Sequence, residues 1–141
     1  MIKYDMICLE GIDKTCKDLI AAVICKLTNF KYIFVGRGLI SMIAYAKKFG
    51  RDYEYNLENM KHTLFVHLKT EKLDWEIRCK QSNEQPINFE EDTALFNETI
   101  AELKHKLGDD LKIIEFNVSH TAIFDIAVEI SKYIEKLNSQ D

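Results

Sequence analysis

The sequence predicts an α/β fold in which a mainly parallel sheet of about four strands lies between layers of helices, and three observations lead there. Short apolar runs rich in β-branched and aromatic residues alternate with longer segments of helical periodicity. The first two runs end at glycines, Gly11 and then Gly36 and Gly38. No repeat, linker or low-complexity tract divides the 141 residues, so residues 1–141 are expected to form a single domain with one core. Strands that alternate with helices pair in parallel and are covered on both faces, which gives three layers.

The elements follow in order. Residues 4–9 read as a short buried strand. From Lys17 to Leu27, Leu19, Ile20, Val23, Ile24 and Leu27 recur at helical spacing, and Thr28-Asn29 marks the stop. Residues 30–35 form the second strand, and Leu39, Ile40, Ile43, Ala44 and Phe49 mark a helix closed by Gly50. A polar stretch with a weak helical segment leads to the third strand, Leu64 to Leu68. Lys72 to Lys80 is expected to be helical, with Leu73 and Ile77 on its apolar side. Gln81 to Phe89 holds the only proline, Pro86, and reads as a loop. Glu90 to Leu107 is a long amphipathic helix with the stripe Phe96, Ile100, Leu103 and Leu107; acids open it, as suits the positive end of its dipole. Leu111 to Val118 is the fourth strand, and Thr121 to Leu137 the last helix.

Composition narrows the function classes. Apolar residues make up 47% and charged residues 30%, as in ordinary globular proteins. A net charge of −4 argues against a nucleic-acid partner, since phosphate backbones are held by Lys and Arg. Only three of the 19 basic residues are Arg: Arg37, Arg51 and Arg78. No apolar run approaches the ~20 residues of a membrane span, and residues 1–5 lack the pattern of a signal peptide. Cys8, Cys16, Cys25 and Cys79 show no paired spacing, which fits reduced thiols and a cytoplasmic location. His62, His67, His105 and His120 are isolated, without metal-like partners.

Chemistry concentrates where the first strand ends. A strand, a Gly, a short polar loop and a helix start are the context of a phosphate-binding loop, whose pattern is Gly, four residues, then Gly-Lys-Ser/Thr. Gly11 and Lys17 stand at the right spacing, but Cys16 replaces the second Gly and Asp18 the hydroxyl residue. A left-handed Cys16 would be strained by about 1 kcal/mol. Lys17 can pair with phosphate oxygens or be a solvated helix lysine.

The stretch Leu9-Glu10-Gly11-Ile12-Asp13-Lys14-Thr15-Cys16-Lys17-Asp18 resembles, without a gap, the Phe-Glu-Gly-x-Asp-Gly-x-Gly-Lys-Ser/Thr of thymidylate kinases, which are P-loop nucleoside monophosphate kinases. Their second signature, Asp-Arg followed by x-x-x-Ser-x-x-Ala-Tyr-Gln and later Gly-Arg, is similar to Gly36-Arg37 followed by Ser41, Ala44-Tyr45-Ala46 and Gly50-Arg51. The resemblance implies a P-loop NTPase-like fold. It implies Lys17 and Arg37 as catalytic groups, and phosphate binding by Gly11, Lys14, Thr15, Cys16, Lys17 and Asp18. It also implies a nucleoside monophosphate site at Asp13, Arg37, Ser41, Tyr45 and Arg51, with Asp18 as the metal ligand. Glu10 matches the acid before the loop. The implied partner is a nucleotide, with a homodimer or another protein as further candidates; no cofactor is fixed, and Mg²⁺–ATP is implied if the site turns over.

The departures carry equal weight. The strand and helix that follow the first helix in the family are absent, because Leu27 leads directly to Phe30. Gly36 stands where the family has Asp, and Ala46 where a Gln reads the base. Between Cys79 and Asp92 the only basic residue is Lys80, so no Arg closes over a transferring phosphoryl group; such an Arg is worth ~10³-fold or more in rate. Asp18 can ligate Mg²⁺ or occupy the anion's own place, a competition that favours an empty or self-capped loop. The favoured reading is a degenerate relative of the thymidylate kinases, catalytically impaired and acting through nucleotide binding or protein interaction. The alternatives are an active deoxynucleoside monophosphate kinase with an atypical loop, and an α/β domain whose loop matches by chance.

Overall fold

The computed structural model describes residues 3–12, 14–36, 38–85 and 88–139, with the backbone alone at Asn59. Four strands, β1 (Met6–Glu10), β2 (Ile33–Val35), β3 (Thr63–Lys69) and β4 (Lys112–Asn117), form one sheet in the order β2-β1-β3-β4. All pairings are parallel, with Met6 opposite both Ile33 and Thr63, and Leu64 opposite Lys112. Among the described residues five α-helices connect and cover them: α1 (Lys17–Leu27), α2 (Leu39–Lys48), α3 (Lys72–Gln81), α4 (Phe89–Leu107) and α5 (Ile123–Ser139).

The alternation of side chains along β1 and β3 sorts the core into two layers. Ile7, Leu9, Leu64, Val66 and Leu68 point to the side covered by α1 and α5. Cys8 and Phe65 point to the side of α2, α4 and Trp75 of α3. Both inner strands are buried along almost their whole length, which is why they read as continuous apolar runs. The connection from β1 runs to β2 on one side, whereas that from β3 runs to β4 on the other. This reversal opens a crevice beyond the carboxyl ends of β1 and β3, where α/β sheets bind ligands.

Two sequence expectations need correction. The second strand begins at Ile33 rather than residue 30, because α1 closes through Asn29 and Phe30, both at positive φ, with Phe30 N donating to Cys25 O at 2.8 Å. Phe30 is left 72% exposed. On α3 the expected inner pair, Leu73 and Ile77, is 68% and 46% exposed, while Trp75 and Cys79 face inward. Both pairs are four apart on nearly opposite sides of the helix, and the large indole takes the core position against Phe89, with ring centroids 5.3 Å apart. The stretch before β3 is an extended strap in which Tyr53, Tyr55 and Leu57 turn inward, followed by a 3-10 turn, Leu57–Met60.

Candidate functional site

The loop after β1 is shaped by close approach and by left-handed backbone. Gly11 leaves the strand at φ 144°, and a Cβ there would stand 2.4 Å from the Leu68 carbonyl oxygen of β3. Lys14 and Cys16 both adopt left-handed φ values, 66° and 64°. Cys16 therefore takes the strained conformation that the missing glycine would hold freely. Thr15 is buried and its hydroxyl donates to Ile12 O at 2.9 Å, tying the loop across itself.

Cys16 is also the N-cap of α1, and no side chain caps that end. Among the described residues none accepts a hydrogen bond from the backbone N–H groups of residues 14–19. The first turn of α1 therefore presents free donors and the positive end of the helix dipole. The Asp18 carboxylate is exposed and turned toward Gly36, whose Cβ position lies 3.9 Å from Asp18 Oδ1. The loop is thus not capped by Asp18, and the chain from Lys14 to Leu19, with Gly36 opposite, borders an open cleft of about 560 Å³.

Lys17 folds back over the loop. Its Nζ donates to Ile12 O at 2.7 Å and to Thr15 Oγ1 at 2.9 Å. Burial lowers its pKa from 10.5 to about 8, outweighing the opposite pull of the Glu10 and Asp18 carboxylates. In this pose the ammonium replaces lost water with two neutral oxygens, and an arriving phosphate offers a charged partner instead.

Glu10 occupies an anion site of its own. It is fully buried, and its carboxylate accepts from Gly38 N (3.0 Å), Ile40 N (2.7 Å), Ser41 N (3.3 Å) and Ser41 Oγ (2.6 Å). An acid from the end of β1 thereby caps α2, which holds the second signature segment against the phosphate-loop strand. Glu10→Ala is expected to cost about 3 kcal/mol in urea unfolding, because buried donors lose a charged acceptor.

Of the remaining sequence-predicted residues, Ser41 turns away to Glu10, while Tyr45 and Arg51 border one cleft. Ser41, 2% exposed, is taken up by Glu10. Tyr45 packs edge-on against Phe96, with centroids 5.9 Å apart, and lines a cavity of about 380 Å³ together with Phe49, Trp75 and Phe89. The Lys48–Asp92 ion pair, 2.7 Å long, forms part of the same wall. Arg51 is exposed, 5.8 Å from the Phe49 ring centre, and borders a second surface cleft that Tyr45 and Phe49 also line. Asp13 and Arg37 lie outside the described residues.

Sequence reasoning did not find two supports of the loop. Arg78 Nη1 donates to Lys14 O and to Thr70 Oγ1, both at 3.0 Å, so α3 braces the loop backbone. Lys14 Nζ pairs with Glu84 at 3.1 Å, in the connection that follows α3. His67 is buried, stacked on Phe96 and set against Glu115, a structural position. All four cysteines are free thiols, and the described residues contain no group of three or more His, Cys, Asp or Glu side chains placed to hold a metal.

No family model matches the chain, and no curated protein matches it. Among solved structures it is similar to the YorR protein of Bacillus subtilis in complex with phosphorylated GDP. The superposition has a TM-score of 0.69 at 18% identity and covers 96% of this chain and 99% of that chain. No helix among the described residues is long and apolar enough to cross a membrane. The likeness extends over nearly the whole length, and with the all-parallel sheet it shows a P-loop NTPase-like α/β fold.

Proposed function

We propose that this chain is a degenerate thymidylate kinase-like protein that binds the phosphates of a nucleotide over residues 11–18 and transfers phosphoryl groups poorly. The observation that carries the reading is the uncapped loop: free N–H groups at the start of α1, Lys17 at their centre and an open cleft above them. The bound nucleotide of the YorR structure adds support from a protein of the same fold. The aromatic cavity beside Tyr45 supplies a place for the base of a second nucleotide.

Impaired transfer follows from what borders the cleft. Arg78 is the described arginine nearest the loop, and it spends its Nη1 on Lys14 O and Thr70. Cys16, Asp18 and Gly36 replace three groups that organise phosphate and metal in the resembled family. Asp18, exposed at the cleft, fits a single carboxylate ligand of Mg²⁺; the ion would supply the charge that offsets this carboxylate beside a phosphate. Binding is therefore expected to be tighter with Mg²⁺ than with EDTA, and Asp18→Asn is expected to narrow that difference.

Calorimetric titration with ADP, GDP and ATP, each with and without Mg²⁺, tests the reading beside a turnover assay with a panel of nucleoside monophosphates. Micromolar binding with negligible turnover is the expected result. Turnover abolished by Lys17→Ala would instead establish an active kinase, and failure of every nucleotide to bind would remove the nucleotide reading altogether.

A further inference from the structure

We propose that Glu84 is an internal competitor for phosphate: its carboxylate holds the Lys14 ammonium on the border between the phosphate cleft and the aromatic cavity, and a bound polyphosphate has to displace it. The inference rests on the phosphate-binding reading above and adds a regulatory contact to that site. Lys14 lines the cleft and Glu84 lines the cavity, so the 3.1 Å ion pair stands where the two spaces adjoin. The left-handed backbone of Lys14 and the Arg78 bond to its carbonyl fix where this side chain starts.

The strength of the contact suits a competitor rather than a permanent lock. The Lys14 and Glu84 side chains are 23% and 53% exposed, and ion pairs this open are weak. A phosphate oxygen offers Lys14 an equally charged and less mobile acceptor, already held by the helix dipole and Lys17. Displacement would free Glu84 and unite the cleft with the cavity where Tyr45, Trp75 and Phe89 stand. The ligand class is therefore a polyphosphate long enough to reach from the start of α1 to Lys14, rather than a single phosphate.

The test is titration of the full chain with inorganic tripolyphosphate and, separately, with inorganic phosphate. Glu84→Gln is expected to tighten tripolyphosphate binding about three- to fivefold, the range an exposed pair can supply, and to leave inorganic phosphate unchanged. Lys14→Met is expected to weaken tripolyphosphate binding and to erase the effect of Glu84→Gln in the double variant. Unchanged or weaker tripolyphosphate binding by Glu84→Gln, in a protein whose binding still depends on Lys17, would overturn the proposal and leave the phosphate site standing. Tripolyphosphate binding indifferent to Lys17→Met would overturn both. Thermal unfolding of each variant controls for folding, and Glu84 is exposed enough to be replaced without disturbing the core.

Discussion

Gly11→Ala is expected to lower the stability of the protein by about 3–5 kcal/mol and to abolish nucleotide binding with it. A side chain at φ 144° is strained by itself, at about 1–3 kcal/mol. The added Cβ also meets the Leu68 carbonyl oxygen at 2.4 Å. That oxygen belongs to an inner strand paired in register with β1 on one side and β4 on the other, so it cannot retreat without shifting the sheet. The clash therefore has no flexible side chain to absorb it, unlike a contact with the tip of a lysine. A fall in melting temperature on the order of 10 °C is expected, together with a lower urea midpoint at an unchanged m-value. An unaltered melting temperature would mean that the β1 exit is looser than this geometry states.

How far the sequence disclosed the fold and site follows from the range of the interactions involved. The span of α1, Lys17–Leu27, was legible because periodicity and a stop signal lie within the helix itself. The left-handed turn at Cys16 was legible for the same reason: a missing glycine in a known loop is a local conformational demand. On α3, local information was ambiguous, since two apolar pairs four apart compete and only the tertiary partner Phe89 decides between them. The supports of the site were not legible at all. Glu10 reaches Ser41 across 31 residues, Arg78 reaches Lys14 across 64, and Lys14 reaches Glu84 across 70. Which of the two expected states the loop takes, empty or self-capped, was left open in the same way, and the Asp18 side chain turns toward Gly36 instead of the N–H groups beside it. A strand end placed between two connections of opposite direction brings such residues together, and a linear pattern carries no trace of it.

Nucleotide binding is expected to weaken by roughly tenfold per pH unit above pH about 8, and the stability of the ligand-free protein is expected to move the other way. Both follow from Lys17, whose pKa falls from 10.5 to about 8 as burial disfavours its charge. Below pH 8 the ammonium is charged in the free protein and binding has no pH dependence from this group. A bound phosphate is an opposite charge and raises the pKa of Lys17, so between the free and bound values each binding event takes up one proton. Affinity therefore falls with rising pH in that window. For folding the comparison is with the unfolded chain near 10.5, where Lys17 stays protonated while the folded form releases its proton. The unfolded state binds more protons between pH 8 and 10.5, so the Lys17 contribution to stability rises through that range. Lys17→Met is expected to flatten both profiles and to weaken binding about 10- to 100-fold at pH 7, the worth of a charge-assisted hydrogen bond. Calorimetry at pH 7, 8 and 9 in buffers of different ionisation enthalpy counts the protons directly. Proton uptake that persisted in the Lys17→Met protein would assign the titration to another group, whereas its loss ties the pH dependence of the site to the ammonium that bends back over Thr15.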